Sequence, residues 1–299
     1  MYIDNNSDIM TNGEPKSMCP PKDENIKKPF FAYGIFKPAQ IAFSKIKDFH
    51  WKCEPHDIPH KMLIRDGVPI IEKKERPFIT KGFKIWFNDE SCEEAYKRIS
   101  ETQPYKLYKW DVIEVDGDEC NILIGKDPYL GSKPFEDKNN NYINDYDGKN
   151  DPYFNGLVGF IGDEINKDEF YGENYFYNLQ MSYMLLWSAI DRYCSLKYGA
   201  YRDQWDLRSH LANDWAFIES LQRCWDDGKI ERRQFVYSTN LNEYKLTKNP
   251  WFAINYYYTI RCNVVHRGKQ IISEEEFLYK ALNELLEIFD GVIKNTFKI

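Results

Sequence analysis

The sequence predicts an α+β fold in which a strand-rich N-terminal domain precedes a C-terminal α-helical bundle. Between residues 29 and 125, apolar and polar residues alternate with the period of two that is typical of half-buried strands. From about Glu173 onward, apolar residues recur every three or four positions, as on one face of a helix. Residues 126–164 separate the two patterns, and the part 126–155 is rich in Asn, Asp, Gly, Lys and Pro, so we expect a polar linker there.

The N-terminal half divides into a tail and a strand-rich domain, residues 29–125. Residues 1–28 are polar and poor in aliphatic side chains, so we expect a disordered tail. In the domain that follows, strands are expected at residues 30–33, 83–87, 110–115 and 121–124. A helix is expected from about Glu90 to Glu101, and Asn88 or Asp89 is its expected N-cap.

The helical bundle is expected to span residues 165–299. Its periodicity predicts four helices, at residues 175–198, 205–227, 250–265 and 273–296. Ser273 is placed to cap the last helix, and Glu276, three residues on, completes a capping box.

Composition limits what the protein can be. Of its 299 residues, 42% are hydrophobic and 16% aromatic, so wholesale disorder is excluded. The net charge is −7 and the pI about 5.4, which excludes a broadly basic nucleic-acid-binding surface but leaves room for a local basic site. The seven cysteines are scattered without CxxC spacing, so we expect neither a disulfide framework nor a zinc knuckle.

The sequence has no signal for a membrane span or for export. No apolar run reaches the roughly 18 residues that a membrane span needs. The first 28 residues contain no apolar segment of the kind found in signal peptides. We therefore expect a cytoplasmic protein without a membrane partner.

The sharpest chemical signal is the segment 256–269, YYYTIRCNVVHRGK. Arg261 and His266 lie five residues apart, which on a helix is about 140° of rotation and about 7.5 Å of rise. An imidazole can move the proton of a 2′-hydroxyl or protonate a leaving oxygen, and a guanidinium can grip a phosphate. Asn263 can orient the ring or bind the phosphate.

The flanking residues of this segment have two interpretations each. Arg267 and Lys269 can bind RNA, or can simply neutralise the negative C-terminal end of the helix. The three tyrosines 256–258 can stack on bases, or can pack in a core or a dimer interface.

Residues 165–299 resemble the HEPN superfamily, whose mark is Arg, four to six residues, then His, on the third helix of a four-helix bundle. The motif here is Arg261 to His266, and the segments YMLLWSAIDRYCSLKY before it and HRGK after it resemble the Apea-like branch. The resemblance implies a metal-independent endoribonuclease without a cofactor, usually a homodimer and usually a toxin or abortive-infection effector in phage defence. Two such helices meeting across a two-fold axis would bring both Arg–His pairs to one groove.

A second candidate site lies in the N-terminal domain. FFAYGIFKP, residues 30–38, is an apolar strand running into a glycine turn, whose backbone N–H groups can hold a carboxylate or phosphate; an ordinary strand end is the alternative. Glu101, if held in a pocket beside Tyr33, Gly34 and Tyr108, can act as a general base; an exposed Glu would only be solvated.

Residues 28–125 resemble the gamma-glutamylcyclotransferase-like fold, a small mixed β-barrel. FFAYG matches the strand of its substrate loop, KGFKIWF matches the strand before its helix, and Glu101 stands where the family carries its catalytic Glu. The family's turn usually continues with a small polar residue and then Leu or Asn, where this sequence has Ile35 and Phe36. We therefore expect this domain to bind a small-molecule or phage-derived trigger, or to restrain the nuclease.

Two other hypotheses remain open. The protein can instead be a gamma-glutamylamine cyclotransferase-like enzyme that uses Glu101, with a helical dimerisation domain, or a non-catalytic interaction protein. His50, Cys53, His56 and His60 have no known zinc-site spacing, so we expect a polar loop there and no metal.

Overall fold

The computed structural model describes residues 18–65, 67–73, 78–104, 106–127, 132–134, 136, 143–151, 154, 156–165, 173–199, 203–230, 236–237, 243–267 and 275–297. These residues form a mixed α+β fold, which confirms the expected fold class. One continuous apolar core runs through the strand-rich and the helical parts. No helix in the described ranges is both long and apolar enough to cross a membrane.

The described residues of the N-terminal part form eight strands. They are β1 (Phe30–Ala32), β2 (His50–Ile58), β3 (Lys61–Arg65), β4 (Val68–Glu72), β5 (Thr80–Phe87), β6 (Tyr108–Val115), β7 (Asp118–Gly125) and β8 (Lys133–Pro134). Five of them form a sheet in the order β2-β5-β1-β7-β6, in which only the β1–β7 pairing is parallel. β4, β3 and β8 form a separate three-stranded sheet.

The described strands do not close into the expected β-barrel. Closure would require the two edge strands of the five-stranded sheet, β2 and β6, to hydrogen-bond to each other, and they stand at opposite ends of it. β3 and β4, which the sequence analysis did not predict, pair with each other from Lys61–Glu72 to Arg65–Val68 and extend a second sheet instead. The result is two open sheets.

Helix α1 (Cys92–Thr102) packs its apolar face on the five-stranded sheet. It begins later than expected, after Ser91, and neither Asn88 nor Asp89 is its N-cap. Tyr96 is fully buried in an aromatic cluster with Phe30 and Trp110, and the two ring centroids lie 6.4 and 5.4 Å from its own.

Residues 18–28, expected as part of a disordered tail, lie against this sheet. The Cys19 carbonyl accepts a hydrogen bond of 2.9 Å from the Trp110 indole, and the Lys28 carbonyl accepts one of 2.5 Å from the Tyr96 hydroxyl. These two hydrogen bonds connect the backbone of the segment to side chains of β6 and α1. Residues 1–17 are outside the described ranges.

In the C-terminal part, the residues that the structure describes form six helices and a short β9–β10 pairing (Val236–Tyr237 with Glu243–Tyr244). The helices are α2 (Leu157–Ile165), α3 (Glu173–Tyr198), α4 (Gln204–Ala212), α5 (Trp215–Asp226), α6 (Pro250–Arg267) and α7 (Glu275–Thr296). Three of the four expected helices, α3, α6 and α7, are present within about two residues of their expected ends. Ser273, the expected cap of α7, lies outside the described residues.

The expected helix at 205–227 is instead two helices, α4 and α5, separated at Asp214. The Asp214 carboxylate accepts from the Ala216 backbone N–H and so caps α5. It also receives Lys197 Nζ at 3.0 Å and the hydroxyls of Tyr193 and Tyr198, both at 2.7 Å. The backbone at Asp214 is extended, with φ −75° and ψ 119°, so the helix is interrupted there, and the contacts with α3 hold the capping carboxylate in place.

The expected linker, residues 126–164, contributes to the core. Tyr146, Asp151 and Phe154 are buried, and the Phe154 ring packs against Tyr193 of α3 and Phe289 of α7. Asp151 pairs with Arg192 of α3, and helix α2 begins at Leu157. The segment therefore joins the strand-rich part to the helices through side chains that apolar periodicity does not reveal.

Candidate functional site

Aromatic and cationic side chains from two packed helices meet on one face, which we call the α4–α6 surface: Trp205 and Arg208 of α4, and Trp251, Tyr258 and Arg261 of α6. On α4, Trp205 and Arg208 are three residues apart and so lie on the same side of the helix. On α6, Tyr258 and Arg261 follow Trp251 by seven and ten residues, which also places all three on one side. Helix packing thus gathers residues that lie up to 56 positions apart in the sequence.

The two tryptophans stand in the first turns of their helices because both helices have well-formed N-caps. Asp203 accepts from the Trp205 backbone N–H at 2.9 Å and begins α4. Asn249 accepts from the Trp251 N–H at 3.0 Å, and Pro250 occupies the first helical position of α6. The ring centroids of Trp205 and Trp251 are 5.7 Å apart, and Trp205 remains 57% exposed.

Two guanidinium groups flank the half-buried Tyr258 ring. The Arg208 guanidinium carbon lies 4.1 Å from the ring centroid, and that of Arg261 lies 5.8 Å from it. Two hydrogen bonds hold the Arg208 side chain. Its Nε donates to the Gln204 backbone carbonyl, and its Nη1 donates to the Asn255 side-chain oxygen. Cations at these distances are attracted by the ring quadrupole, so the tyrosine holds two positive charges near each other.

The electrostatics of Tyr258 keep its hydroxyl protonated. Partial burial and the neighbouring Cys262 raise the pKa of Tyr258, whereas the charges of Arg208 and Arg261 oppose that rise. A neutral phenol flanked by guanidinium groups, with an exposed indole on the same face, can bind a phosphate chain while bases stack on the rings.

Arg261, Asn263 and His266, the residues expected to catalyse RNA cleavage, all belong to α6, which continues to Arg267. Arg261 and Asn263 are half-buried, and Arg261 faces the α4–α6 surface through its contact with Tyr258. His266 and Arg267 lie in the last turn of the helix, and Lys269 lies outside the described residues.

The tyrosine run 256–258 is divided between core and surface. Tyr256 and Tyr257 are fully buried, and the Tyr257 hydroxyl donates to Glu284 of α7 at 3.0 Å. Burial and the Glu284 carboxylate raise the pKa of Tyr257 well above its ordinary value. Only Tyr258 of the three reaches the α4–α6 surface, so packing is the role of the other two.

The N-terminal candidate residues are brought together only in part. Tyr33, Gly34 and Tyr108 surround a space of about 20 Å³ that Pro69 and Gln103 help to line, whereas Glu101 is exposed and is not among the lining residues. A Cβ on Gly34 would lie 2.8 Å from Pro69 Cγ, which shows how tightly this wall is packed. A space of this size holds about one water molecule, and a glutamyl group does not fit.

Both tyrosine hydroxyls of this closed pocket are bound to the backbone. Tyr33 donates to the Leu123 carbonyl and Tyr108 to the Pro69 carbonyl, each at 2.7 Å. Burial raises the pKa of both phenols far above the ordinary value. Neither group is prepared to transfer a proton.

The histidine-rich segment 50–60 is mainly strand β2, not the expected polar loop, because His50 to Ile58 pair with β5. His56 Nδ1 lies 2.7 Å from Asp116 Oδ2. Within the part of the chain that the structure describes, His, Cys, Asp and Glu side chains form no group of three that could hold a metal ion.

Comparison of the chain with protein-family models, with curated proteins and with solved structures found no match. The HEPN and cyclotransferase resemblances therefore rest on the quoted motifs and stay predictions. Sequence reasoning missed Trp205, Arg208 and Trp251. The available signal was a Trp just after a capping residue in both DQWDLR and NPW.

Proposed function

We propose that the protein is a metal-independent endoribonuclease that binds RNA on the α4–α6 surface and cleaves it with Arg261 and His266. The observation that supports this proposal most is the position of Arg261. It lies on the same helix as His266 and shares the Tyr258 ring with Arg208, on a face that also carries two tryptophans. A catalytic arginine is thus next to side chains suited to hold a nucleic-acid chain.

The chemistry assigned to these residues is an internal transesterification. The 2′-oxygen attacks the adjacent phosphorus, the bond to the 5′-oxygen breaks, and the products are a cyclic phosphate and a free 5′-hydroxyl. His266 moves the proton, because an imidazole can exchange one near neutral pH. Arg261 stabilises the charge that grows on the phosphoryl oxygens. Asn263 positions the ring or the phosphate, and Arg267 and Lys269 bind the flanking phosphates.

The active species is proposed to be a homodimer formed through the helices. Phe160 of α2 and Tyr177 and Met181 of α3 are exposed apolar side chains on two packed helices, and exposed apolar area favours self-association. In a cell the enzyme would act as a toxin or abortive-infection effector, with the N-terminal domain as its sensor or restraint. The closed pocket of Tyr33 and Tyr108 gives no support to the alternative cyclotransferase activity.

The test compares growth and total RNA in cells that express the wild type, Arg261→Ala, His266→Ala or Glu101→Gln. Arg98→Ala is the matched control, because Arg98 is an exposed arginine paired with Glu94 on α1, in the N-terminal part. We expect the first two variants to lose toxicity and to cleave RNA about 10²-fold or more slowly. The control and Glu101→Gln should behave as the wild type.

Purified proteins then decide between the hypotheses. Equal cleavage by the wild type and His266→Ala, or none by the wild type, contradicts the proposal. Turnover of a gamma-glutamylamine that Glu101→Gln abolishes would favour the cyclotransferase alternative. Absence of both activities would leave a non-catalytic interaction protein.

A further inference from the structure

A cavity of about 290 Å³ lies between the strand-rich part and helix α3. Val68 of β4 and Gln103 after α1 line it on the strand-rich side, and Ser195 lines it from α3. The end of α3 can approach the end of α1 closely because Gly199 has no side chain. A Cβ there would lie 2.5 Å from the Glu101 carbonyl oxygen. The volume is at the lower end of ordinary small-molecule sites, which often lie between domains.

Gln103 is buried, yet its side-chain amide is not used by the fold. Only 6% of the residue is exposed, and the amide makes no hydrogen bond to any residue that the structure describes. The residue follows α1 in an extended conformation, φ −95° and ψ 135°, which is the preferred conformation before a proline, here Pro104. Buried amides nearly always have a partner, because an unpaired one costs free energy. The donor and acceptor of Gln103 therefore remain for a molecule in the cavity.

Ser195 of α3 brings a second polar group without a partner. It lines the same cavity, and its hydroxyl makes no hydrogen bond within the described part of the chain. The hydroxyl of Ser188, two turns earlier on α3, is bound instead to the Met184 carbonyl at 3.2 Å. Both parts of the molecule thus contribute a free polar group to one cavity, as in ordinary ligand sites.

The rest of the lining is apolar or already paired. The cationic side chains that line the cavity have partners in the protein: Arg192 pairs with Asp151 at 3.0 Å, and Arg65 and Lys106 are also engaged. An uncharged ligand is therefore favoured over an anion. Four aliphatic side chains can cover its apolar faces, namely those of Ile35, Val68, Leu107 and Leu196.

We propose that this cavity binds a nucleobase or its nucleoside, that is, a flat uncharged ring with a hydrogen-bond donor next to an acceptor. The oxygen and the NH₂ group of a carboxamide lie side by side, so Gln103 can make two parallel hydrogen bonds to such an edge, as glutamine does with adenine. The Ser195 hydroxyl can bind a further polar atom. A ligand here would touch strands and helix α3 together, and would therefore stabilise the folded protein.

The experiment measures binding to the full-length protein by calorimetry and by thermal unfolding. The probes are adenosine, uridine and cytidine, each compared with the analogue in which methyl groups replace the donor hydrogens of the base. We expect one molecule to bind per chain and at least one nucleoside to raise the Tm. Its methylated analogue should bind about tenfold or more weakly, because it cannot donate to Gln103.

Variants locate the site. Gln103→Met keeps the length of the side chain and removes its hydrogen-bonding groups, so it should weaken nucleoside binding about tenfold or more and bind the methylated analogue equally well. Without ligand, its Tm should equal or exceed that of the wild type, because the amide has no bond to lose. Ser195→Ala should weaken binding severalfold. Ser188→Ala is the matched control, because this exposed serine of α3 does not line the cavity.

Three results would overturn the proposal: no binding of any of the nucleosides, equal affinity of the wild type and Gln103→Met, or a lower Tm of Gln103→Met without ligand. The last result would show that the amide serves the fold. The nuclease proposal rests on Arg261 and His266 and is unaffected by any of these outcomes.

Discussion

The closed pocket around Tyr33 and Tyr108 and the α4–α6 surface contain similar residue types, yet differ in what those residues are bound to. In the pocket, both phenol hydroxyls donate to backbone carbonyls, and about 20 Å³ of space remains. On the surface, two guanidinium groups lie near one aromatic ring, and Trp205 is largely exposed. The difference teaches that residue type alone does not indicate a site, because a ligand can reach aromatic and cationic side chains on an exposed helix face but not in a space that holds one water molecule.

The largest expected effect is a loss of stability when a side chain of the pocket is removed. Tyr33→Ala removes a buried ring and should lower the free energy of unfolding by about 3–5 kcal/mol. Tyr33→Phe removes only the hydrogen bond to Leu123 and should cost about 1 kcal/mol. Urea unfolding of the two variants measures both values.

RNA binding tests whether the Tyr33 hydroxyl has any role besides stability. Tyr33→Phe should bind single-stranded RNA as the wild type does, because its ring lies in the core of the strand-rich part. If Tyr33→Phe were as stable as the wild type but lost a catalytic activity, the pocket would be an active site and the comparison would fail.

A smaller effect is expected on the surface, and in affinity instead of stability. Trp205→Ala should weaken binding to single-stranded RNA by about 1–3 kcal/mol, the value of one base stacked on an aromatic ring. Its unfolding free energy should change little, because more than half of the side chain is already exposed.

Fluorescence anisotropy with a labelled single-stranded RNA measures this loss. Trp215→Ala is the matched control, since Trp215 is similarly exposed and also occupies the first turn of a helix, α5. Equal affinities of Trp205→Ala and Trp215→Ala would show that the surface does not stack on bases.

The elements that sequence predicted well are those whose pattern is local. Helices α3, α6 and α7 each carry apolar residues at intervals of three and four over many turns, so their positions could be predicted from local spacing. β2 was missed because its side chains are mostly polar and only its pairing with β5, about 30 residues away, makes it a strand. The barrel expectation failed for the same reason, since closure depends on pairings between distant strands.

The same distinction applies to the two sites. Arg261, Asn263 and His266 were selected because they lie within six residues, as a motif that can be read directly. Trp205 and Arg208 could not be joined to that motif, because only the packing of α4 on α6 brings them to it. Trp251 lies on the motif's own helix but ten positions before Arg261, outside the segment that was selected. Asp214 looked like one more polar residue in a helix, and its role depends on Lys197 and two tyrosines of α3.

The smallest expected effect separates charge from stacking on the α4–α6 surface. Arg208→Gln should weaken RNA binding uniformly across sequences and reduce the slope of log K against log salt by about 0.7, the contribution of one phosphate contact on a single strand. Trp205→Ala should leave that slope unchanged, because an indole carries no charge. Arg223→Gln, at an exposed position on α5, controls for a general loss of positive charge.

If Arg208→Gln and Arg223→Gln lower the slope equally, only the net charge of the molecule attracts RNA. If neither lowers it, Arg208 serves to pack against Tyr258, and the cationic half of the surface belongs to the fold in the same way as the closed pocket does.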